Sequence, residues 1–496
     1  MDSPPGAQPT PSPARVAGER AIMNTVYRSG GEIVGRFASL LLFAQAGRSL
    51  GENGLGAFVF ALVFTGIVMI PTNLGLDRYT LRAVATERST AHGLFFNVLA
   101  LKVAIGVPLF GLSFLGLHLT GASSAAQETS WVLAPGVFCD SIARTQLAVF
   151  AAHERNGPPA AADTLNRVLS AVLGITALRL GYGVVSVGAA YSIGSAIGVA
   201  IGFALMRRTI GIPGGAVRHR AWPALATRSL PFFVQDLFTT LLAILDTFIL
   251  AVLGTQAAVG RYGAAYRLFE STYFIGGALV GAFSAMYTYL GPDTNPPLHS
   301  VYQRSIKLAV TLLMPLAVAF VVLARPICRL VYGPAFGSAA VPLRILGPGV
   351  VLLGVVTLTI SLLVSRGNPA RTASLSGVMV AVNVALNLVL IPLFSVAGAA
   401  TAMLATEVIF TAWIARRALR MVGHIEWASM LVAPLAAGVG MALVAAPLHA
   451  SLPAALVAGL FTYLAVLIAV DWLISPRDVV FVAGMVRRRL SSRSAP

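Results

Sequence analysis

A chain of 496 residues with 57% apolar and only 11% charged side chains lacks the polar surface of a soluble globular protein. Apolar runs recur about every 30 residues between short polar loops, the pattern of a polytopic α-helical membrane protein; the alternating strands of an outer-membrane barrel are not seen. A net charge of +17 would suit nucleic acid, but the arginines lie between the apolar runs, where they set topology and meet anionic lipid, so no nucleic-acid partner is expected.

Residues 1–22 are Pro-rich, lack an apolar core, and read as a disordered cytoplasmic tail rather than a signal peptide, so the first span acts as its own insertion signal. That span, 24–48, carries Arg28, Glu32 and Arg36 at i, i+4 and i+8, within an arc of about 80° on one helix face. Each charge facing lipid would cost roughly 2.5–3.5 kcal/mol, so this face is expected to look into water or onto other helices, as in a helix lining a polar pathway. Thirteen more spans are expected at 55–74, 94–119, 129–151, 163–181, 184–206, 228–253, 262–290, 304–324, 340–364, 372–393, 397–419, 428–447 and 452–474. No loop between them is long enough for a folded soluble domain. An even number of spans puts both termini on one side. Lys and Arg are about fourfold more abundant in the tails and loops of that side, which predicts cytoplasmic ends. Cys139 and Cys328 lie in or beside different apolar segments and suggest neither a disulfide nor a metal site.

The chain repeats itself. LGENGLGAF (50–58) recurs as LGTQAAVGRY (253–262), SVGAAYSIG (186–194) as VAGAATAML (396–404), and the two lysines, Lys102 and Lys307, occupy matching places. Spans 1–6 and 7–12 therefore form parallel repeats, since six crossings return the chain to its starting side. The expected organisation is an N-terminal lobe (23–210), a cytoplasmic linker (211–227), a C-terminal lobe (228–420), spans 13 and 14 (421–475) and a basic cytoplasmic tail (476–496).

Five stretches in this order carry a family resemblance: RSLGENGLGAFVFAL after span 1, NLGLDRYTLRAVA after span 2, Asp246 with GRYGAAYRL around spans 7–8, LVYGPAFGSAAVPLRIL after span 9, and IPLFSVAGAATA before span 12. Over roughly residues 20 to 420 the chain resembles the polysaccharide-type, Wzx-like members of the MOP flippase superfamily. The resemblance implies an all-α integral membrane fold, with two lobes in a V and helices 1, 2, 7 and 8 lining a cationic cavity. It further implies movement of polyprenyl-diphosphate-linked oligosaccharides across the bacterial inner membrane, for surface polysaccharide synthesis, beside polymerases and glycosyltransferases of the same pathway. In the lipid II branch two extra C-terminal helices make a groove for the lipid tail, a role open to spans 13 and 14.

Arg28 and Arg36 are the first choice for gripping a diphosphate, because a guanidinium stays charged and offers a fork of donors matched to phosphate oxygens. Glu32 between them would hold the arginines when substrate is absent, or exchange a proton. Arg267 and Glu270, three apart on span 8, form a second candidate cluster, with a neutralised structural contact as the alternative; Arg78, with Arg82, could meet an incoming headgroup, although topology already accounts for arginines in that loop. Asp236, Asp246 and Glu407 lack basic neighbours on their own spans and are candidates for coupling to Na+ or H+, Asp246 being open to a second reading as a solvated helix-end residue. Asp140–Arg144 and Asp163–Arg167 read as helix-packing ion pairs, and Asn383 and Asn387 as helix-to-helix bonds.

No Gly-Lys dipeptide exists, which excludes a G-x-x-x-x-G-K-[ST] phosphate loop, and there is no H-E-x-x-H. No cofactor or metal is expected, and transport must draw on an ion gradient, the membrane potential or consumption of product. Two other readings compete. A MATE-like drug or cation antiporter shares the architecture, but the arginines of span 1 disfavour cations. An integral-membrane glycosyltransferase or glycan ligase needs outer loops bearing acids, and here those loops are short and acid-poor; an enzyme is not expected.

Overall fold

In lipid every backbone N–H and C=O must be bonded within the chain, so the apolar runs have one solution, the helix. The computed structural model describes residues 13–119, 121–155, 157–211, 215–290, 297–366, 369–423 and 425–474, with side chains described from residue 30 onward except at 369–375. The first group of helices is α1 (Pro13–Asn73), α2 (Leu76–Thr86), α3 (Ala91–Leu119), α4 (Ser124–Ala152), α5 (Gly157–Arg179) and α6 (Val184–Thr209). The second comprises α7 (Trp222–Leu253), α8 (Gln256–Glu270), α9 (Tyr273–Tyr289), α10 (Leu298–Val322), α11 (Ala324–Tyr332), α12 (Ala340–Leu346), α13 (Gly349–Arg366), α14 (Pro369–Phe394) and α15 (Val396–Val422). Helices α16 (Trp427–Ala445) and α17 (Leu452–Ile474) pair with each other and lean on α10.

The expected spans fall on these helices, with informative departures. Spans 1 and 2 are the two halves of α1, joined at a kink where Gly51 adopts φ 68°, a backbone setting that glycine alone takes without strain. Span 8 is broken into α8 and α9. Span 10 is α12 and α13, parted at Gly347–Pro348. Among the described residues eleven helices are long and apolar enough to cross a membrane, one of them covering both halves of α1. Helices α4 and α5 match expected spans 4 and 5 but are more polar, so length and hydropathy alone do not reach fourteen. Helix α1 begins at Pro13, inside the tail expected to be disordered, and α7 begins at Trp222, inside the expected linker; the basic tail 476–496 lies outside the described residues.

Helices α1 to α6 pack mainly on one another, as do α7 to α15, and the seam between the two bundles is built from α1 and α2 against α7 and α8. A continuous apolar core runs through that seam, with Phe58, Tyr262, Phe269, Tyr332 and Phe336 all fully buried.

Candidate functional site

The seam is closed at both ends, and Glu32, Arg36, Arg267 and Glu270 lie between the closures. At the end carrying the Gly51 kink, α1 and α8 touch backbone to backbone. A Cβ on Gly56 would stand 1.9 Å from the Gln256 carbonyl oxygen, and one on Gly260 would stand 2.0 Å from that of Glu52. Glycine is required at both positions because nothing else leaves room. The motif LVYGPAFGSAAVPLRIL folds as α11, a 3-10 turn and α12, and caps this end. Tyr332 and Phe336 pack on Gly47, the Tyr332 hydroxyl donates to the Ala264 carbonyl at 3.0 Å, and Arg48 Nε donates to the Val331 carbonyl at 2.9 Å. Ser338 donates to Glu52 at 2.7 Å, and Arg261 lies 3.7 Å from the same carboxylate.

At the basic end the chain breaks between α1 and α2 at Gly75 (φ 68°), which approaches α7 so closely that a Cβ would stand 2.5 Å from the Ser229 carbonyl oxygen. One turn into α2, Arg78 Nε pairs with Asp236 Oδ1 of α7 at 2.7 Å. Asp236 is thus a paired latch residue whose partner comes from another helix. The broken end of α1 is anchored from behind by Lys102, which has no solvent exposure. Its ammonium donates to Asp77 at 2.8 Å, Asn73 Oδ1 at 3.1 Å and the Ser141 carbonyl at 2.7 Å, filling all three donors. The repeat-equivalent Lys307 instead pairs with Asp471 of α17 at 2.8 Å.

Midway along the seam, Arg36 Nη2 meets Glu32 Oε1 at 2.7 Å, and its Nη1 reaches across to the Glu270 carbonyl at 3.0 Å. That carbonyl is free because α8 ends at Glu270, and the last carbonyls of a helix have no partner within it. Ser271 and Thr272 at the break turn their hydroxyls back to the Leu268 and Phe269 carbonyls. Glu270 Oε2 in turn holds Arg267 Nη1 at 2.7 Å, and the Arg267 guanidinium lies 4.5 Å from the Phe43 ring centre, a cation–π contact. Four of the expected binding residues, Glu32, Arg36, Arg267 and Glu270, therefore form one cluster shared by both bundles. All four are partly exposed, and among the described residues each guanidinium keeps donors unused. Arg28 lies on the same face of α1, one turn before Glu32, but outside the residues whose side chains are described. The sequence suggested a cationic ladder with one acid; the structure balances the described cations with a second acid from α8.

The coupling candidates separate. Asp246, 2% exposed, is not a solvated helix-end residue. Asn383 Nδ2 donates to its Oδ1 at 2.9 Å, Asn387 donates to the same oxygen, and the Tyr262 hydroxyl donates to Oδ2 at 3.4 Å. Thr406 joins through Asn383 at 3.3 Å, and Asn387 Oδ1 is buried with no hydrogen-bond partner among the described residues. Asn383 and Asn387 do bond between helices, as expected. Glu407 lies against the first turn of α13, where a Cβ on Gly349 would stand 2.6 Å from its Oε2, a place the helix dipole favours for an anion. In α4, Asp140 is held by Tyr191 and by Asn166 at 3.4 Å rather than by Arg144, whereas Asp163–Arg167 is an ion pair at 3.0 Å as the spacing predicts.

Two bundles enclosing a charged cluster, closed toward both sides of the membrane, define a multi-pass membrane protein with a transporter architecture. Residues 21–289, more than half the chain, match the family model described as polysaccharide biosynthesis protein, and the chain belongs to that family. It is 22% identical to the probable low-salt glycan biosynthesis flippase Agl15 of Haloferax volcanii over 368 residues, 74% of this chain and 76% of that one. Its fold is that of lipid II flippase MurJ in an inward closed conformation (TM-score 0.75, 14% identity, 92% of this chain and 100% of that one). It also matches an inward-facing multidrug resistance MATE transporter of the MOP superfamily (TM-score 0.62, 17% identity, 78% and 95%).

Proposed function

We propose that this protein is a flippase that carries a polyprenyl-diphosphate-linked oligosaccharide from the cytoplasmic to the outer leaflet of the plasma membrane by alternating access. The observation that carries this reading is the Glu32–Arg36–Glu270–Arg267 cluster, because it joins the two bundles through groups that a diphosphate can take over. A phosphate offers guanidinium the same forked geometry as a carboxylate, with more charge. Binding would displace Glu32 and Glu270 from their arginines, loosen the tie between α1 and α8, and let one end of the seam open. The glycan follows the diphosphate through the seam while the polyprenyl tail stays in lipid.

Both termini and the Arg78–Asp236 latch face the cytoplasm in this reading, as the distribution of basic residues directs. The chain carries out transport rather than bond chemistry. Asp246, Asn383, Asn387 and Thr406 are proposed to bind the coupling ion, Na+ or H+. A half-turn of either amide would present its oxygen beside the carboxylate, as a cation requires.

The test is to deplete the protein from cells and sort lipid-linked glycan by leaflet, with an impermeant sugar-modifying reagent on sealed vesicles of known orientation. Intact glycan-lipid is expected to be trapped on the cytoplasmic face, and the Arg36→Ala, Arg267→Ala double variant is expected to trap it as depletion does. Normal arrival at the outer face would overturn the proposal. Unligated lipid accumulating there would favour an enzyme, and no change in any glycan-lipid would favour an antiporter.

A further inference from the structure

A cavity of about 740 Å³ opens at the basic end, away from the central cluster, between α2, the start of α3, the 215–221 linker and the start of α7. Its volume lies within the roughly 300–1,000 Å³ typical of small-ligand pockets. Three arginines from three separate segments line it: Arg82 of α2, Arg218 of the linker and Arg228 of α7. None of the three has a hydrogen-bond or ion-pair partner for its side chain among the described residues, and the single acid in the lining, Glu87, accepts from Ser89 at 2.7 Å. Topology accounts for arginines in a cytoplasmic loop; it does not account for three that line one concavity. The wall is built rather than incidental. Asn97, buried in α3, accepts from the Arg218 backbone N–H at 2.7 Å and donates to the Ala216 carbonyl at 3.1 Å, fixing the linker across the cavity.

We infer that this cavity is a docking site for a net-anionic, phosphate-bearing lipid headgroup, and that its occupation releases the Arg78–Asp236 latch. The inference rests on the flippase reading above. Arg82 follows Arg78 by one turn on the same face of α2, about 6 Å along the axis, and Arg228 precedes Asp236 on α7 by about 12 Å. An anion held between Arg82 and Arg228 lies next in line to Arg78 and competes with Asp236 for it, because phosphate takes a guanidinium as readily as a carboxylate does. With that pair broken, the ion pair that binds α2 to α7 is gone and the basic end of the seam opens to the headgroup that broke it.

The test uses the full chain in phosphatidylcholine nanodiscs, with farnesyl diphosphate as probe and spin labels on Ala85→Cys and Ala224→Cys in a background with Cys139 and Cys328 replaced by Ser. Farnesyl diphosphate is expected to bind, to lengthen the 85–224 distance, and to do neither in the Arg82→Gln, Arg218→Gln, Arg228→Gln variant, whose affinity falls about tenfold or more. A parallel arm replaces the diphosphate with phosphatidylglycerol in the disc. The same arginine-dependent opening there would support the site and identify its headgroup as bulk phospholipid. Unchanged diphosphate affinity in the triple variant overturns the inference; if binding is then lost in Arg36→Ala, Arg267→Ala, the flippase reading survives alone. No diphosphate binding by the unmodified chain would overturn both.

Discussion

Lys102 shows how much a single intramembrane charge depends on its partners. A buried ammonium is tolerable here because a carboxylate, an amide oxygen and a backbone carbonyl accept hydrogen bonds from its three N–H groups. Removing the cation while leaving Asp77 in place strands a carboxylate, so Lys102→Met is expected to cost about 3–5 kcal/mol, read as a drop in melting temperature of the purified protein. Adding Asp77→Asn should recover part of that loss. A pair of equally unstable variants would mean that the ion pair is not what the position requires. The lysine stood out in the sequence because only two exist, yet its partners did not, since Asp77 and Ser141 lie on other helices at no fixed spacing from it. The same holds for Arg78 with Asp236 and for Asp246 with Asn383 and Asn387. Pairs at i+3 or i+4 were legible, and Arg36–Glu32, Arg267–Glu270 and Asp163–Arg167 form as their spacing predicts. Asp140 is the exception, because Tyr191 and Asn166 reach it where Arg144 does not.

At the scale of elements, hydropathy located the helices well, because burial in lipid constrains every turn in the same way. Where helices break was harder to see. Pro348 signals the α12–α13 interruption, but the α8–α9 break carries only Ser271 and Thr272, whose hydroxyls compete for backbone carbonyls in a manner common in intact helices too. That break supplies the carbonyl that Arg36 uses, so the least legible feature of span 8 is the one the site depends on. The α1–α8 crossing gives a sharper test. With its Cβ 1.9 Å from a carbonyl oxygen, Gly56→Val must hold the two helices apart. In the proposed orientation, a cysteine placed at the fully buried Ala265 of α8 should then label with an impermeant maleimide from outside the cell, several-fold faster than in the glycine parent. Equal labelling would show that this crossing does not close the outer end.

For the molecule as a whole, the two repeats have diverged in what they do. The first bundle presents Arg78, Arg82 and the α1 charges; the second holds the buried Asp246 site, and its lysine ties it to α17. If Asp246 binds the coupling ion, Asp246→Asn should abolish the dependence of glycan-lipid translocation on a Na+ or proton gradient while leaving diphosphate affinity within about threefold of the parent. A gradient dependence that survives the substitution would remove Asp246 from that role. The asymmetry reaches the closures themselves. In the proposed orientation the outer end is shut chiefly by backbone contact at Gly56 and Gly260 and by rings packed on Gly47, with the Glu52–Arg261 pair at 3.7 Å beside them; at the inner end an ion pair at 2.7 Å completes the close approach at Gly75. A charge pair can be exchanged for another by a competing ion, whereas fitted van der Waals contact offers an ion nothing to replace. In the proposed orientation the cytoplasmic closure is therefore the one that an anionic cargo can undo by exchange of charge, on the face where that cargo is made.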